Sequence, residues 1–355
     1  MLPWDFVFAY RYASKNKIPL CKQLSTALGH QVVMRKISYT YSQLSTQSVL
    51  EFLSDFYEIG EVCGCKYYVL GLHDNYFVET ESRKYILRIY RNDWRSPDEI
   101  NFELGFLDYL KKQGSLISYP LLTIEDQLYF QFSAPEGTRF ATLFYYAEGD
   151  SPGNSISPSQ SELLGHTVAT IHKFSNSFEC KEYRKVLDIP YLVDGSVLAI
   201  ESFLSKEQLH YILRVRDIIE SHMPDLPKEE GVWGACHGDV NPTNFHINSE
   251  SQITLFDFDQ CGYGYRAFEI AKFKSSIYPI ENKEEVESHF LQGYQSVRQL
   301  SGNEIKAIPY LEIISHIWVM AIHAYNVNRI GYKYLEKPFW DRRISVIKKL
   351  EERLA

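Results

Sequence analysis

The chain has no run of about 18 apolar residues, the length a membrane-crossing helix requires. Its first twenty residues, MLPWDFVFAYRYASKNKIPL, hold no basic segment followed by a long apolar one. Cysteines are few and form no framework. They fall at 21, 63, 65, 180, 236 and 261; only Cys63 and Cys65 are neighbours, and no second pair completes a zinc spacing. Reduced thiols in a cytoplasmic protein are therefore expected, with no disulfide scaffold. A positive charge balance is also missing. The 37 Lys and Arg against 45 Asp and Glu leave a formal charge of −8, which argues against nucleic-acid binding over the whole surface. There is no internal repeat, no long low-complexity tract, and no Walker or G-x-G-x-x-G loop. What is present is ordinary for a globular protein: 355 residues, 45% hydrophobic, 23% charged and 15% aromatic. That is enough chain for one large domain or two smaller ones.

Hydrophobic periodicity divides the chain in two. Residues 1–33 show none and are expected to be a poorly defined extension. "LSTQSVLEFL" then reads as a short amphipathic helix, followed by strand-like "KYYVLGL", "YFVETES" and "KYILRIYR". "SPDEINFELGFLDYLKKQG" predicts a helix, with Pro97 in its first turn, lysines late and Gly114 at its end. Strands resume at "QLYFQF" and "FATLFYY". The Gly-, Pro- and Ser-rich stretch 148–160 reads as a linker or exposed loop. Beyond it "SQSELLGHTVATIHKF" is helical in pattern, and only "VWGACHG", "FHIN" and "ITLFDF" carry strong strand signals. A strand-rich half before a helix-rich half implies an α+β protein with two lobes, 34–147 and 148–355.

The chemistry concentrates in "HGDVNPTNF" and the "LFDFDQ" that follows it. Phosphoryl transfer needs a carboxylate to orient and deprotonate a hydroxyl, oxygen ligands for Mg²⁺, and cations on the phosphates. Asp239 fits the base, and Asn244 and Asp257 fit the metal ligands. H-G-D-x-x-x-x-N arises by chance in on the order of one in a thousand chains of this length. Plainer roles stand beside these. Asp259 is expected to support the site from behind rather than hold metal. His237 should brace the loop, His172 should be a packed helix histidine, and Cys63 with Cys65 should bind nothing. The aromatics of "YKYLEKPFW" should pack in the core or between lobes.

These motifs resemble the aminoglycoside phosphotransferase family of the protein-kinase-like fold, nearest its homoserine kinase and stress response kinase branch. The resemblance spans about residues 38–350 and is sharp at the motifs. It implies a two-lobed α+β fold binding ATP and Mg²⁺ in the cleft. It places Arg88 where many relatives carry a phosphate-binding lysine, with Glu103 as its helix partner. "LFYYAEG" resembles the interlobe hinge, so Tyr145, Tyr146 and Ala147 are expected at the adenine. Glu269 stands where relatives usually have Asp, and is expected to be structural. The implied reaction moves the γ-phosphate to a hydroxyl of a small molecule such as an amino alcohol, sugar or aminoglycoside-like compound. Nucleic acid and membrane are not expected partners. Two other readings stay open: a Ser/Thr protein kinase of the stress response kinase type, and a non-catalytic nucleotide-binding regulator. Only about ten residues separate Asp257 from the helix signal at "AFEIAKF", little chain for a peptide-binding activation segment.

Overall fold

The strand-like stretches between residues 66 and 91 become the core of an antiparallel sheet. The structure, a computed structural model, describes residues 37–354; the expected extension, 1–33, lies outside the described residues. Strands β1 (Val62–Leu70), β2 (Asp74–Thr80), β3 (Lys84–Ile89), β4 (Phe130–Ala134) and β5 (Gly137–Tyr145) pair in the order β1-β2-β3-β5-β4. β2 shows why they pair as they do. Asp74, Tyr76, Val78 and Thr80 are buried, while Asn75, Phe77 and Glu79 alternate with them on the half-exposed face. Helix α1 (Thr46–Phe56), capped by the Ser45 side chain, lays Val49 and Leu53 against Val78, Leu87 and Leu143. This closes a small core on one side of the sheet.

Helix α2 (Pro97–Lys112) follows its start and stop signals closely. Ser96 and Glu99 form a reciprocal capping box, Pro97 opens the first turn, Lys111 and Lys112 sit in the last, and Gly114 follows at φ +83°. Its Phe102, Phe106 and Leu110 join the larger core, shared with the helical half.

That half holds α3 (Pro158–Phe174), α4 (Gly195–Ile200), α5 (Lys206–His222), α6 (Ala267–Ile277), α7 (Lys283–Gln295), α8 (Gly302–Tyr325), α9 (Val327–Ile330) and α10 (Lys337–Glu351). Two short two-stranded sheets accompany the helices: β6 (Trp233–Cys236) with β9 (Gly262–Tyr265), and between them in the chain the hairpin β7 (Phe245–Ile247) with β8 (Ile253–Leu255). α3 and α7 approach until their backbones touch. A Cβ on Gly293 would lie 1.8 Å from the Glu162 carbonyl oxygen, and one on Gly165 2.1 Å from that of Phe290. The acidic stretch at the start of α7 keeps Glu284 and Glu285 in solvent while Val286 and Phe290 are buried.

Three expectations need adjustment. Of the two readings of stretch 148–160, the exposed loop holds up to α3 and the free linker does not: Asp150 and Ile247 exchange backbone hydrogen bonds (3.1 and 3.0 Å), Ser151 Oγ donates to the Pro242 carbonyl, and α3 already begins at Pro158. Of the "YKYLEKPFW" aromatics, Phe339 and Trp340 are buried but Tyr332 and Tyr334 are each 67% exposed. Helix α8 is long and apolar enough to cross a membrane, yet 67% of its most apolar window is buried inside the fold. The result is a two-lobed α+β architecture, with a strand-rich lobe and a larger helical lobe.

Candidate active site

Strand β6 ends at Cys236, and the chain reverses at Gly238 with φ +81°. A Cβ there would stand 2.0 Å from the Gln260 carbonyl oxygen, so only glycine makes the turn. The loop is anchored from below. The N–H groups of His237 and Gly238 donate to the two oxygens of Glu269, each at 2.8 Å. Glu269 lies buried in the first turn of α6, and burial pushes its carboxyl up to about 7 against the pull of those two N–H groups. The His237 ring ties the loop to the strand before Asp257. Its Nδ1 accepts from the Asp239 N–H (3.2 Å), which puts the proton on Nε2, 3.0 Å from the Phe256 carbonyl oxygen. Burial holds this imidazole below its ordinary value, so it braces the loop as a neutral ring.

Asp239 projects from the loop with its side chain 28% exposed. Asn244 Nδ2 donates to Oδ2 at 2.8 Å and to the Asp239 carbonyl at 3.0 Å. Lys272 Nζ lies 2.7 Å from Oδ1. Both carboxylate oxygens are thus held in place, while the Asn244 Oδ1 has no hydrogen-bond partner among the described residues. Lys272 was not foreseen. It stands three residues after Glu269 on α6, one helical turn along, a spacing legible in the sequence.

Asp257 follows β8 in the left-handed region, φ 62° and ψ 59°, unusual for a residue with a side chain. Its carboxylate is 46% exposed and accepts from Arg88 Nη2 at 3.0 Å. Arg88 comes from β3, between Asn75 of β2 and Thr142 of β5. Its Nη1 donates to Glu103 Oε1 on α2 at 2.7 Å, and the Phe144 ring lies 5.0 Å from the guanidinium. Glu103 is fully buried; burial pushes its carboxyl up and Arg88 opposes this. Arg88 and Glu103 therefore form a buried pair, with Arg88 also reaching Asp257 in the other lobe.

Asp259 is buried and surrounded. Arg95 Nε lies 2.9 Å from Oδ1, and Trp94 Nε1 and Gln260 Nε2 donate to Oδ2. His73 Nε2 also lies 2.9 Å from Oδ1; its Nδ1 accepts from the Arg91 N–H, so the proton faces the carboxylate. Burial alone would raise the Asp259 carboxyl, but Arg95 and His73 hold it well below the usual range. Residue 259 thus fastens the turn before β2 to the hairpin carrying Asp257. A second contact does similar work: Arg329 on α9 donates to the Leu72 carbonyl (2.7 Å) and bonds Asp74.

The expected hinge follows β5. The Tyr145 N–H donates to the Tyr119 carbonyl and the Tyr146 N–H to the Lys84 carbonyl. Ser118 Oγ donates to the Tyr145 carbonyl at 2.6 Å, and His246 Nδ1 lies 2.5 Å from the Ala147 carbonyl oxygen. The Ala147 N–H has no partner among the described residues. The Tyr146 ring stands 5.5 Å from Phe77 of the small lobe and 5.5 Å from His246 of β7. His172 is buried in α3, with Nδ1 2.8 Å from the Tyr294 hydroxyl and Nε2 3.7 Å from Glu269 Oε2. It packs beneath the loop as expected. Cys63 is exposed and Cys65 half-buried, and neither joins a cluster of metal-ligating side chains among the described residues.

Comparison with known proteins agrees with this architecture. Residues 70–302 match the model of the phosphotransferase enzyme family. An uncharacterized protein of Synechocystis sp. is 33% identical over 87% of this chain and 86% of its own length. The solved structure of an amicoumacin kinase in complex with AMP-PNP, Ca²⁺ and Ami superposes with a TM-score of 0.72 and 21% identity, covering 86% of this chain and 94% of that one. A microcompartment-associated aminopropanol kinase gives a TM-score of 0.71 and 18% identity, covering 86% and 95%. The fold is the two-lobed, protein-kinase-like one, and the family match covers most of both lobes. The chain belongs to the phosphotransferase enzyme family.

Proposed function

We propose that the chain is a kinase that transfers the γ-phosphoryl group of ATP to a hydroxyl of a small molecule, with Asp239 as the base. The observation that carries this reading is the clamped Asp239 carboxylate, held by Asn244 and Lys272, with the Arg88–Asp257 pair joining the two lobes. Asp239 accepts the acceptor's hydroxyl proton as its oxygen forms a bond to the γ-phosphorus. The bond from that phosphorus to the bridging oxygen breaks, and ADP leaves. Arg88, oriented by Glu103, contacts the phosphates from β3. Tyr145 and Ala147 offer the adenine a carbonyl and an N–H that has no partner among the described residues.

The donor set suits a hard divalent cation such as Mg²⁺. Asp257 supplies a half-exposed carboxylate, and Asn244 an amide oxygen that no group among the described residues uses. When bound, such an ion neutralises charge on the phosphate oxygens. The Arg88–Asp257 contact marks where phosphate and cation would compete for these side chains.

Support for a small acceptor comes from the short path after Asp257. Only η-turn Phe258–Gln260 and strand β9 intervene before α6 begins at Ala267, and β9 is paired with β6. The similar structures are named for amicoumacin and aminopropanol as acceptors, which supports an amino alcohol or related hydroxyl compound. A panel of amino alcohols, sugars and aminocyclitols with Mg²⁺ and ATP tests this. At least one should give saturable ADP release that is lost in Asp239→Asn. Asp239-dependent labelling of protein Ser or Thr with a silent panel would replace this reading with a protein kinase.

A further inference from the structure

The turn between β1 and β2 reaches the helical lobe at three consecutive residues, and the transfer chemistry itself calls on none of these bonds. The Leu72 carbonyl accepts from Arg329 Nη1 at 2.7 Å, the His73 ring meets Asp259, and the Asp74 carboxylate bonds Arg329 Nη2. Arg329 belongs to α9, and its side chain is only 4% exposed. Its planar fork suits this double task, with one arm on a carbonyl and the other on a carboxylate. The Tyr41 ring lies 4.6 Å from the guanidinium. A neighbouring contact repeats the pattern. Arg91, just after β3, donates from Nη2 to the Tyr325 carbonyl (2.9 Å) and from Nη1 to Asn326 Oδ1 (3.3 Å). Segment 325–329 thus grips the strand-rich lobe from the end of α8 and from α9.

The place of the turn gives this grip its consequence. His73 is bonded to Asp259, two residues beyond Asp257, and β2 pairs Asn75 with Arg88. The turn therefore borders the Arg88–Asp257 contact, where the kinase reading puts the phosphates of the nucleotide. A nucleotide leaves more readily when the turn lifts away, and Arg329 opposes that movement. We infer that Arg329 is a positioning residue that holds the β1–β2 turn down beside the phosphates and so slows nucleotide release. This rests on the kinase reading and adds to it what keeps the site closed. The grip is reversible, because parting it strands no buried carboxylate. Asp74 still has Arg139 Nη2 at 2.7 Å and the Tyr41 hydroxyl at 2.6 Å.

The test is the rate at which ADP carrying a fluorescent N-methylanthraniloyl group leaves the full chain in the presence of Mg²⁺. Stopped flow reads it after excess unlabelled ADP is added, for the wild type, Arg329→Met and Arg329→Lys. Methionine fills the space and donates nothing. It should speed release by about tenfold or more, the worth of a hydrogen bond to a charged group. Lysine can still bond Asp74 but cannot also span to the Leu72 carbonyl, so its release rate should fall between the other two. A role confined to packing α9 would lower the melting temperature and leave the release rate alone. A rate within about twofold of wild type in a folded Arg329→Met protein would overturn the inference. Should that variant not fold, Arg329→Lys decides the matter: faster release supports the inference, and an unchanged rate overturns it. If the wild type does not bind the labelled ADP, the kinase reading fails and this one with it. If it binds and the variants release it at the wild-type rate, the kinase reading stands and only this inference falls.

Discussion

Glu269 offers the sharpest quantitative test of how the loop carrying Asp239 is held. It is a buried carboxyl whose two oxygens each accept a backbone N–H from the loop. Burial raises its pKa from an ordinary 4.5 to about 7. Between those values the folded protein binds more protons than the unfolded chain. Stability from this group is therefore fully present below about pH 4.5 and is lost as pH rises through 7. A shift from 4.5 to about 7 spans about 2.5 units, or about 3 kcal/mol at 1.36 kcal/mol per unit. Roughly 2.5 kcal/mol of that falls between pH 5 and pH 8. Glu269→Gln cannot titrate. It also leaves one loop N–H facing an amide N–H, a cost of about 1–3 kcal/mol that is independent of pH. Urea unfolding of both proteins at pH 5, 6, 7 and 8 separates the two effects. The difference in stability between wild type and variant should change by roughly 2.5 kcal/mol across the series, with the wild type losing ground as pH rises. A constant difference would show that Glu269 is ionised throughout, and that burial does not dominate its titration.

Other perturbations address the remaining parts. Asp239→Asn should fold and bind nucleotide normally but lower kcat by ~10² or more, the usual contribution of a positioned proton acceptor; near wild-type turnover would remove Asp239 from the role of base. Asp257→Ala should abolish turnover and erase the dependence of ATP affinity on Mg²⁺, which nucleotide titrations with and without the ion would reveal. Gly238→Ala forces a Cβ against the Gln260 carbonyl at 2.0 Å in a left-handed turn, so its melting temperature should drop by several degrees and its activity should vanish. His316, buried in α8, is pushed down to about 3, first by burial and then by Arg343 and Lys272. Stability linked to it is present above 6.5 and lost as pH falls toward 3. His316→Phe should therefore lose about 2 kcal/mol less than wild type between pH 7 and pH 5 in the same urea assay.

Elements set by local patterns were legible in the residues themselves. β2 alternates with a period of two, α2 carries a capping box, Pro97 and late lysines, and each appears within a few residues of where its pattern places it. The short spacing from Asp239 to Asn244 also keeps the two together on one loop, with Asp257 on the neighbouring hairpin. Stretch 148–160 begins as an exposed loop, as its Gly, Pro and Ser suggest, but those residues record only local freedom. Whether such a loop is tied down depends on Asp150 meeting Ile247, about a hundred residues later. The aromatics at 332 and 334 misled for a similar reason, since apolar character does not say which side of a turn faces solvent.

Long-range partners were decided only in three dimensions. Lys272 meets Asp239 because α6 starts under the loop, and Glu269 fixes that start. His73, Trp94 and Arg95 converge on Asp259 across more than 160 residues of chain. His246 caps Ala147 because β7 passes beneath the hinge. Sequence by itself determined the periodicity, the caps and the short spacing of Asp239 and Asn244, since these depend on neighbours a few bonds or one helical turn away. Tertiary structure decided which buried charges face each other and which backbone groups stay free. Those outcomes depend on desolvation and on distances between elements that no local pattern encodes.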